Sequence, residues 1–152
     1  MRLMIDTNIF LDVLAEREPF FKDSKAVLDL CENKRVQGFL SASSATDIFY
    51  LIRRQLHSVD LAYKALGSVL DIAKVLTVTN EDVLNAYLQR ASDFEDCLLA
   101  TCAKANQCDA IVTRNKKGFS FLWDYIVFSG RTAEYLSVKI CTIGSRRKVE
   151  IL

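Results

Sequence analysis

The chain has 152 residues, 51% of them hydrophobic and 26% charged, and its 20 basic and 19 acidic side chains leave a formal net charge of +1. That balance argues against disorder, a collagen-like repeat or a coiled coil, and the length argues for one domain. No apolar run approaches the roughly 18 residues of a membrane span, and with a charge near zero any nucleic-acid contact has to come from a local basic patch.

Leu3-Met4-Ile5 is a short apolar run that meets Asp6 too early for a signal-peptide core, so a cytoplasmic protein without membrane association is expected. The run itself reads as a buried first strand. A helix follows, with Ile9, Phe10, Val13 and Leu14 at helical spacing until Arg17-Glu18-Pro19, where Pro19 is placed to open a second helix carrying Val27, Leu28, Leu30 and Cys31. Val36 to Ser41 alternates as a second strand, and Ala45 to Leu56 and Asp60 to Ala73 read as amphipathic helices. Leu76-Thr77-Val78 is a third strand, with Asn80 as N-cap of a helix through Gln89. Asp93 to Asn106 reads as a further helix, Asp109 to Thr113 as a fourth strand, Tyr125 to Phe128 as a fifth and Thr132 to Leu136 as a short helix. Strands with nearly continuous apolar cores, separated by helices, indicate an α/β domain with a parallel sheet between helical layers.

Five cysteines (Cys31, Cys97, Cys102, Cys108, Cys141) without a CxxC pair read as reduced thiols packed in the core. With His57 as the one histidine, a zinc site is disfavoured, and His57 itself reads as a helix-end residue.

Right-handed crossovers bring the C-termini of all parallel strands to one edge, where such domains bind ligands. Asp6 ends the first strand, Asp47 falls in the first turn of the helix after the second, and Asp93, Glu95 and Asp96 open the helix before the fourth, which ends in Thr113, Arg114 and Asn115. Carboxylates gathered at one small site repel one another and call for a cation, and hard oxygen ligands suit Mg²⁺ or Mn²⁺ better than zinc. Such a metal activates water against a phosphodiester, so hydrolysis is the reaction class implied. Plainer roles exist for some of these acids. Asp93 and Asp96 have the spacing of a helix cap, and Asp47 complements a helix dipole. Asp6 is harder to account for by a structural role alone, because an acid directly after a buried strand is desolvated unless it is paired or metal-bound.

Met4-Ile5-Asp6-Thr7-Asn8-Ile9-Phe10-Leu11-Asp12 resembles the opening motif of the PIN-domain family, in particular its VapC-like toxin ribonucleases. Ser41 to Ile48, Asp93 to Thr101 and Ile111 to Phe119 resemble the family's later motifs in the same order, and Tyr125 to Leu136 its closing strand and helix. The resemblance implies a PIN-like three-layer sandwich over residues 1–136, with a central parallel sheet of about five strands flanked by helices, followed by a C-terminal tail at 137–152. It also implies a Mg²⁺- or Mn²⁺-dependent endoribonuclease, a hydrolase acting on RNA, commonly homodimeric and silenced by an antitoxin protein. Carried over by position, Asp6 and Asp96 are the metal-binding acids, with Asp93 as an extra acid that joins them as a metal ligand and Asp47 organising the site. Asn115 and Thr113 match polar positions near the metal and its water; in a ribonuclease, Arg114, Lys116 and Lys117 are expected to contact the RNA backbone, beside Thr113.

The chain departs from the family pattern at Asp47, where Glu is usual, and at Asn115 and Gly118, where many members carry an acid. These departures motivate a second reading, a PIN-like scaffold that binds RNA or protein without cutting. A receiver-like or phosphatase-like use of Asp6 as phospho-acceptor fits poorly, since the phosphatase pattern wants Asp where Asn8 stands.

Overall fold

The computed structural model describes residues 1–115, 119 and 126–128. Lys116, Lys117, Gly118, the short helix expected from Thr132 to Leu136, Cys141 and the tail at 137–152 lie outside the described residues. The elements run β1 (Arg2–Ile5), α1 (Thr7–Leu14), α2 (Phe21–Glu32), β2 (Gln37–Ser41), α3 (Ala42–Leu56), α4 (Val59–Ile72), β3 (Ala73–Leu76), α5 (Asn80–Gln89), α6 (Phe94–Ala105), β4 (Ala110–Val112) and β5 (Ile126–Phe128). The strands form one five-stranded sheet ordered β3-β2-β1-β4-β5, parallel at every pairing. The expected α/β sandwich is the observed one.

Alternation along the central strands sorts side chains into two cores. Leu3, Ile5, Leu40, Ala110 and Val112 join one cluster with residues of α1 to α4, while Met4, Phe39 and Ile111 face Leu99, Ala100, Cys102 and Ala103 of α6. Because β1 lies between β2 and β4 and is covered on both faces, Leu3, Met4 and Ile5 are completely buried. Each such side chain contributes about 1.5–3 kcal/mol relative to exposure. Cys31, Cys97, Cys102 and Cys108 are free and buried, as expected of core thiols. Among the described residues no helix is long and apolar enough to cross a membrane.

β2, α4, α6, β4 and β5 differ from the expected ranges by one residue at one or both ends, and three further boundaries differ for a local reason. The third strand is Ala73–Leu76, not Leu76–Val78, and pairs Gly38 with Ala73 through Ser41 with Leu76. As an edge strand it exposes Lys74 and Val75, so it carries no apolar run to mark it. Helix α3 starts at Ala42, not Ala45, because the Ser41 hydroxyl accepts the Ser44 N–H at 3.0 Å and caps it. Helix α5 is capped by Thr79, not Asn80, in a reciprocal pair with Asp82. Pro19 falls in the turn ahead of α2, and His57 is the C-cap of α3 in the left-handed region at φ 51°.

Helix α2 is drawn onto β2 at Gly38. A Cβ there would stand 2.9 Å from Cys31 Sγ and 3.3 Å from Cys31 Cβ. Gly38→Ala is expected to destabilise the protein by about 1–2 kcal/mol through overpacking. Urea unfolding should show that Cys31→Ala in the same chain costs less than the sum of the two single changes; additive losses would refute the contact as the cause.

Candidate functional site

The parallel register builds the site from its two central strands. Ile5 of β1 is paired with Val112 of β4, so the next residues, Asp6 and Thr113, emerge side by side at the C-terminal edge. The Asp6 backbone N–H donates to the Val112 carbonyl at 2.9 Å, holding its Cα in the sheet. Its carboxylate caps α1, with Oδ1 accepting from the Asn8 N–H at 3.2 Å, and Oδ2 accepts from the Thr113 hydroxyl at 2.6 Å. Asp6 is 4% exposed and Thr113 is fully buried, so these bonds replace the water both groups have lost.

Thr113 extends the connection. Its Oγ1 accepts the Asn115 backbone N–H at 2.9 Å, and the Asn115 side-chain amide donates to Asp96 Oδ2 at 2.8 Å. One hydrogen-bonded path, Asp6 to Thr113 to Asn115 to Asp96, therefore joins acids from β1 and α6 through the exit of β4.

Asp96 and Asp82 occupy the same position, three residues past the N-cap, in successive helices, and they behave differently. Asp82 Oδ2 accepts from both the N–H and the hydroxyl of its cap Thr79 at 2.8 Å. At α6, Asp93 Oδ1 accepts the Asp96 N–H at 3.2 Å, but the Asp96 carboxylate makes no return bond to the cap and turns to Asn115. Asp93 is thus a helix cap, and Asp96 is directed into the rim.

Burial and then the neighbouring Asp93, Asp6 and Glu95 push the Asp96 carboxyl from its usual 3.8 up to about 7, with the Asn115 amide pulling the other way. Glu95 is raised first by lost hydration and then by Asp47, Asp6 and Asp93, which brings Asp47 into the same electrostatic neighbourhood. Asp47 is itself raised by burial. It stands in the second turn of α3, not the first, so the N-terminal dipole, which fades within one turn, does not account for it. Among the described residues no basic side chain forms an ion pair with Asp6, Asp47, Asp93, Glu95 or Asp96.

Among the described residues no three His, Cys, Asp or Glu side chains converge as a metal cage. Mg²⁺ requires less: it keeps several waters and takes one or two carboxylates. Asp6 and Asp96, hard oxygen donors in a field of unneutralised acids, fit such a cation.

Arg114 is turned inward. Its NH1 lies 3.3 Å from Asp12 Oδ1, its NH2 donates to Asn8 Oδ1 at 3.2 Å, and its guanidinium sits 4.4 Å from the centre of the Phe20 ring. Its neighbours make it a brace between β4, α1 and α2, and 27% of its side chain stays exposed. Asp12 is completely buried, and its Oδ2 accepts from the Ser24 hydroxyl at 3.1 Å. Burial raises its carboxyl, with Arg114 opposing. Sequence reasoning gave Asp12 and Ser24 no role. A signal for Asp12 existed, since it lies on the apolar side of α1 among Ile9, Phe10 and Val13.

Solved structures share this architecture at low sequence identity. VapBC2 of Rickettsia felis, bound to a DNA fragment from its promoter, matches 86% of this chain and 99% of its own at a TM-score of 0.67 and 18% identity. DNA-bound VapBC of Salmonella typhimurium matches 85% and 98% at 0.64 and 14%. Mycobacterium tuberculosis VapC20, a sarcin–ricin-loop-cleaving toxin, matches 72% and 86% at 0.58 and 16%. No curated protein matches the sequence. The PIN domain family model matches residues 2–117, which contain β1 to β4 and every acid of the rim, and by that match the chain belongs to the PIN domain family.

Proposed function

We propose that the protein is a divalent-metal-dependent endoribonuclease that hydrolyses RNA phosphodiester bonds, the toxin of a toxin–antitoxin pair acting in the cytoplasm. The observation that carries this reading is the path from Asp6 through Thr113 and Asn115 to Asp96, which holds two acids together where repulsion alone would part them. Asp6 and Asp96 would hold the ion, Mg²⁺ or Mn²⁺, with Asp47 shaping the rim and Asp93 fixing the first turn of α6. A bound divalent cation would supply the Lewis acidity that phosphodiester hydrolysis needs. The chain's own residues do the positioning. Thr113 fixes the Asp6 carboxylate by donating to it, and the Asn115 amide orients Asp96. Lys116 and Lys117, two residues beyond the rim, are proposed RNA contacts.

The VapBC neighbours support a protein antitoxin as partner, and four buried free thiols fit a reducing compartment. Homodimerisation is supported by an exposed apolar row on α5, made by Val83, Leu84, Tyr87 and Leu88. On α3 and α4, Phe49 is partly covered by the Tyr63 ring at 4.8 Å, while Tyr50 and Tyr63 are more than half exposed.

Cleavage of a mixed single-stranded and structured RNA pool tests the reading. Antitoxin-free protein with Mg²⁺ or Mn²⁺ should cut, EDTA should abolish cutting, and Asp6→Asn or Asp96→Asn should each lower the rate by about 100-fold or more, as loss of one preorganised electrostatic group does. A folded, metal-loaded protein that binds RNA without cutting would favour the non-cleaving scaffold, for which Asn115 in place of an acid is the motive.

The raised carboxyls also set a pH dependence. An acid whose folded value lies above its unfolded value stabilises the fold below the unfolded value, and that contribution is lost as pH rises through the folded value. For Asp96 the window runs from 3.8 to about 7. After discounting for solvent screening the effect is on the order of 1 kcal/mol, or about 3 °C in Tm. Metal-free protein should therefore melt higher at pH 5 than at pH 8, Asp96→Asn should flatten the difference, and Mg²⁺ should raise Tm more at pH 8. Equal melting at both pH values would refute the repulsive rim.

A further inference from the structure

An open cleft of about 510 Å³ lies on α3, lined by Tyr50, Arg53, Arg54, His57 and Val59. Arg53, Arg54 and His57 are exposed, and among the described residues neither arginine has an ion-pair partner. Tyr50 is 62% exposed, and its ring is braced edge-on by Phe49, with centroids 5.5 Å apart at 84°. The cleft therefore offers an aromatic platform, fixed from behind and open to solvent, beside two guanidinium groups that no acid neutralises.

Its place on the helix connects it to the acids. At about 100° per residue, Arg54 lies within about 20° of Asp47 around the α3 axis and about 10 Å further along it, and Tyr50 stands between them. Asp47 belongs to the electrostatic neighbourhood of the rim through Glu95. A strand passing over the rim and down α3 thus meets Tyr50 and then the arginines.

We propose that this cleft is an accessory binding site for single-stranded RNA, in which Tyr50 stacks on a base and Arg53 and Arg54 hold backbone phosphates a few nucleotides from the scissile bond. The inference rests on the ribonuclease reading for the strand's direction, though not for its binding. Planar guanidinium and phenol faces combined with unneutralised positive charge suit a chain that alternates bases and phosphates. An acidic peptide would use the charges and leave the Tyr50 face without a partner. Placement in the last turn of α3 lets the arginines complement the helix dipole as well, but that role needs neither Tyr50 nor RNA.

The test measures binding of a fluorescent 12-nucleotide single-stranded RNA to full-length protein carrying Asp96→Asn, with Mg²⁺ present. Adding Arg53→Ala and Arg54→Ala should weaken binding about 10-fold and reduce the slope of log affinity against log salt by about 1.4, the value for two single-strand phosphate contacts. The Lys pair, Arg53→Lys with Arg54→Lys, should keep the slope, and Tyr50→Ala should weaken binding about 10-fold with the slope unchanged. In otherwise wild-type protein the Ala pair should raise KM for the 12-mer and leave dinucleotide cleavage unaltered. Unchanged affinity and slope in the Ala pair would overturn the proposal, as would absence of RNA binding by the parent protein, or a loss confined to oligoglutamate binding. If the protein with Asp96 intact binds the 12-mer but does not cut it with Mg²⁺ or Mn²⁺, the ribonuclease reading fails while the binding arms still decide the cleft.

Discussion

Thr113 places one hydroxyl between the two acids on which the rim is built, donating to Asp6 and accepting from the backbone of Asn115, whose amide reaches Asp96. Both bonds are demanded by burial, because a hydroxyl with no access to water loses on the order of 1–3 kcal/mol if left unpaired. The position of that hydroxyl follows from strand register. With Ile5 opposite Val112, the next residue of each strand is delivered to the same edge, and a slip of one residue would send Thr113 to the other face. Sheet pairing, helix capping and the geometry of the acids are therefore one problem with one solution: Asp6 starts α1, ends β1 and faces Thr113 at once.

The acids at this edge differ in kind from the buried acid beside them. Asp12 is more deeply enclosed, yet Arg114 stands 3.3 Å from its Oδ1 and the Ser24 hydroxyl donates to its Oδ2. Asp96, Glu95 and Asp47 have no cation among the described residues, and the first two are raised further by their neighbours. A fold that needed these groups only for stability would gain by neutralising them, since replacement of repelling surface charges costs little. The compensated acid reads as structure, and the uncompensated ones read as a site awaiting positive charge.

What was legible in the sequence tracks how strongly burial constrained it. Leu3-Met4-Ile5 is covered on both faces and shows as an apolar run, whereas β3, exposing Lys74 and Val75 at the sheet edge, left no such trace. The start of α3 was hidden because Ser41, Ser43 and Ser44 look like loop polarity, while their hydroxyls bond to one another and cap the helix. Asp6, Asp47, Asp93 and Asp96 were visible as acids of one rim by topology. Their division of labour was not, because Asp82 and Asp96 share a cap-like spacing and only the remote Asn115 separates them. Arg114 reads as an RNA contact at the exit of β4, and its pairing with Asp12 is not legible because the fold alone brings the two together.

Asn115 stands where many family members carry an acid, and its contacts show what the exchange accomplishes. A carboxylate there would add a like charge beside Asp96 and has no hydrogen to donate to it. The amide donates at 2.8 Å and lowers the Asp96 carboxyl against the rise imposed by burial and by Asp93, Asp6 and Glu95. It thereby holds Asp96 in place with the ion absent, at the loss of one hard oxygen anion as ligand. Since Mg²⁺ is commonly bound through one or two carboxylates with water completing its shell, Asp6 and Asp96 still meet that requirement. On the proposed reading, Asp6 and Asp96 are thus brought together by hydrogen bonds before a metal arrives.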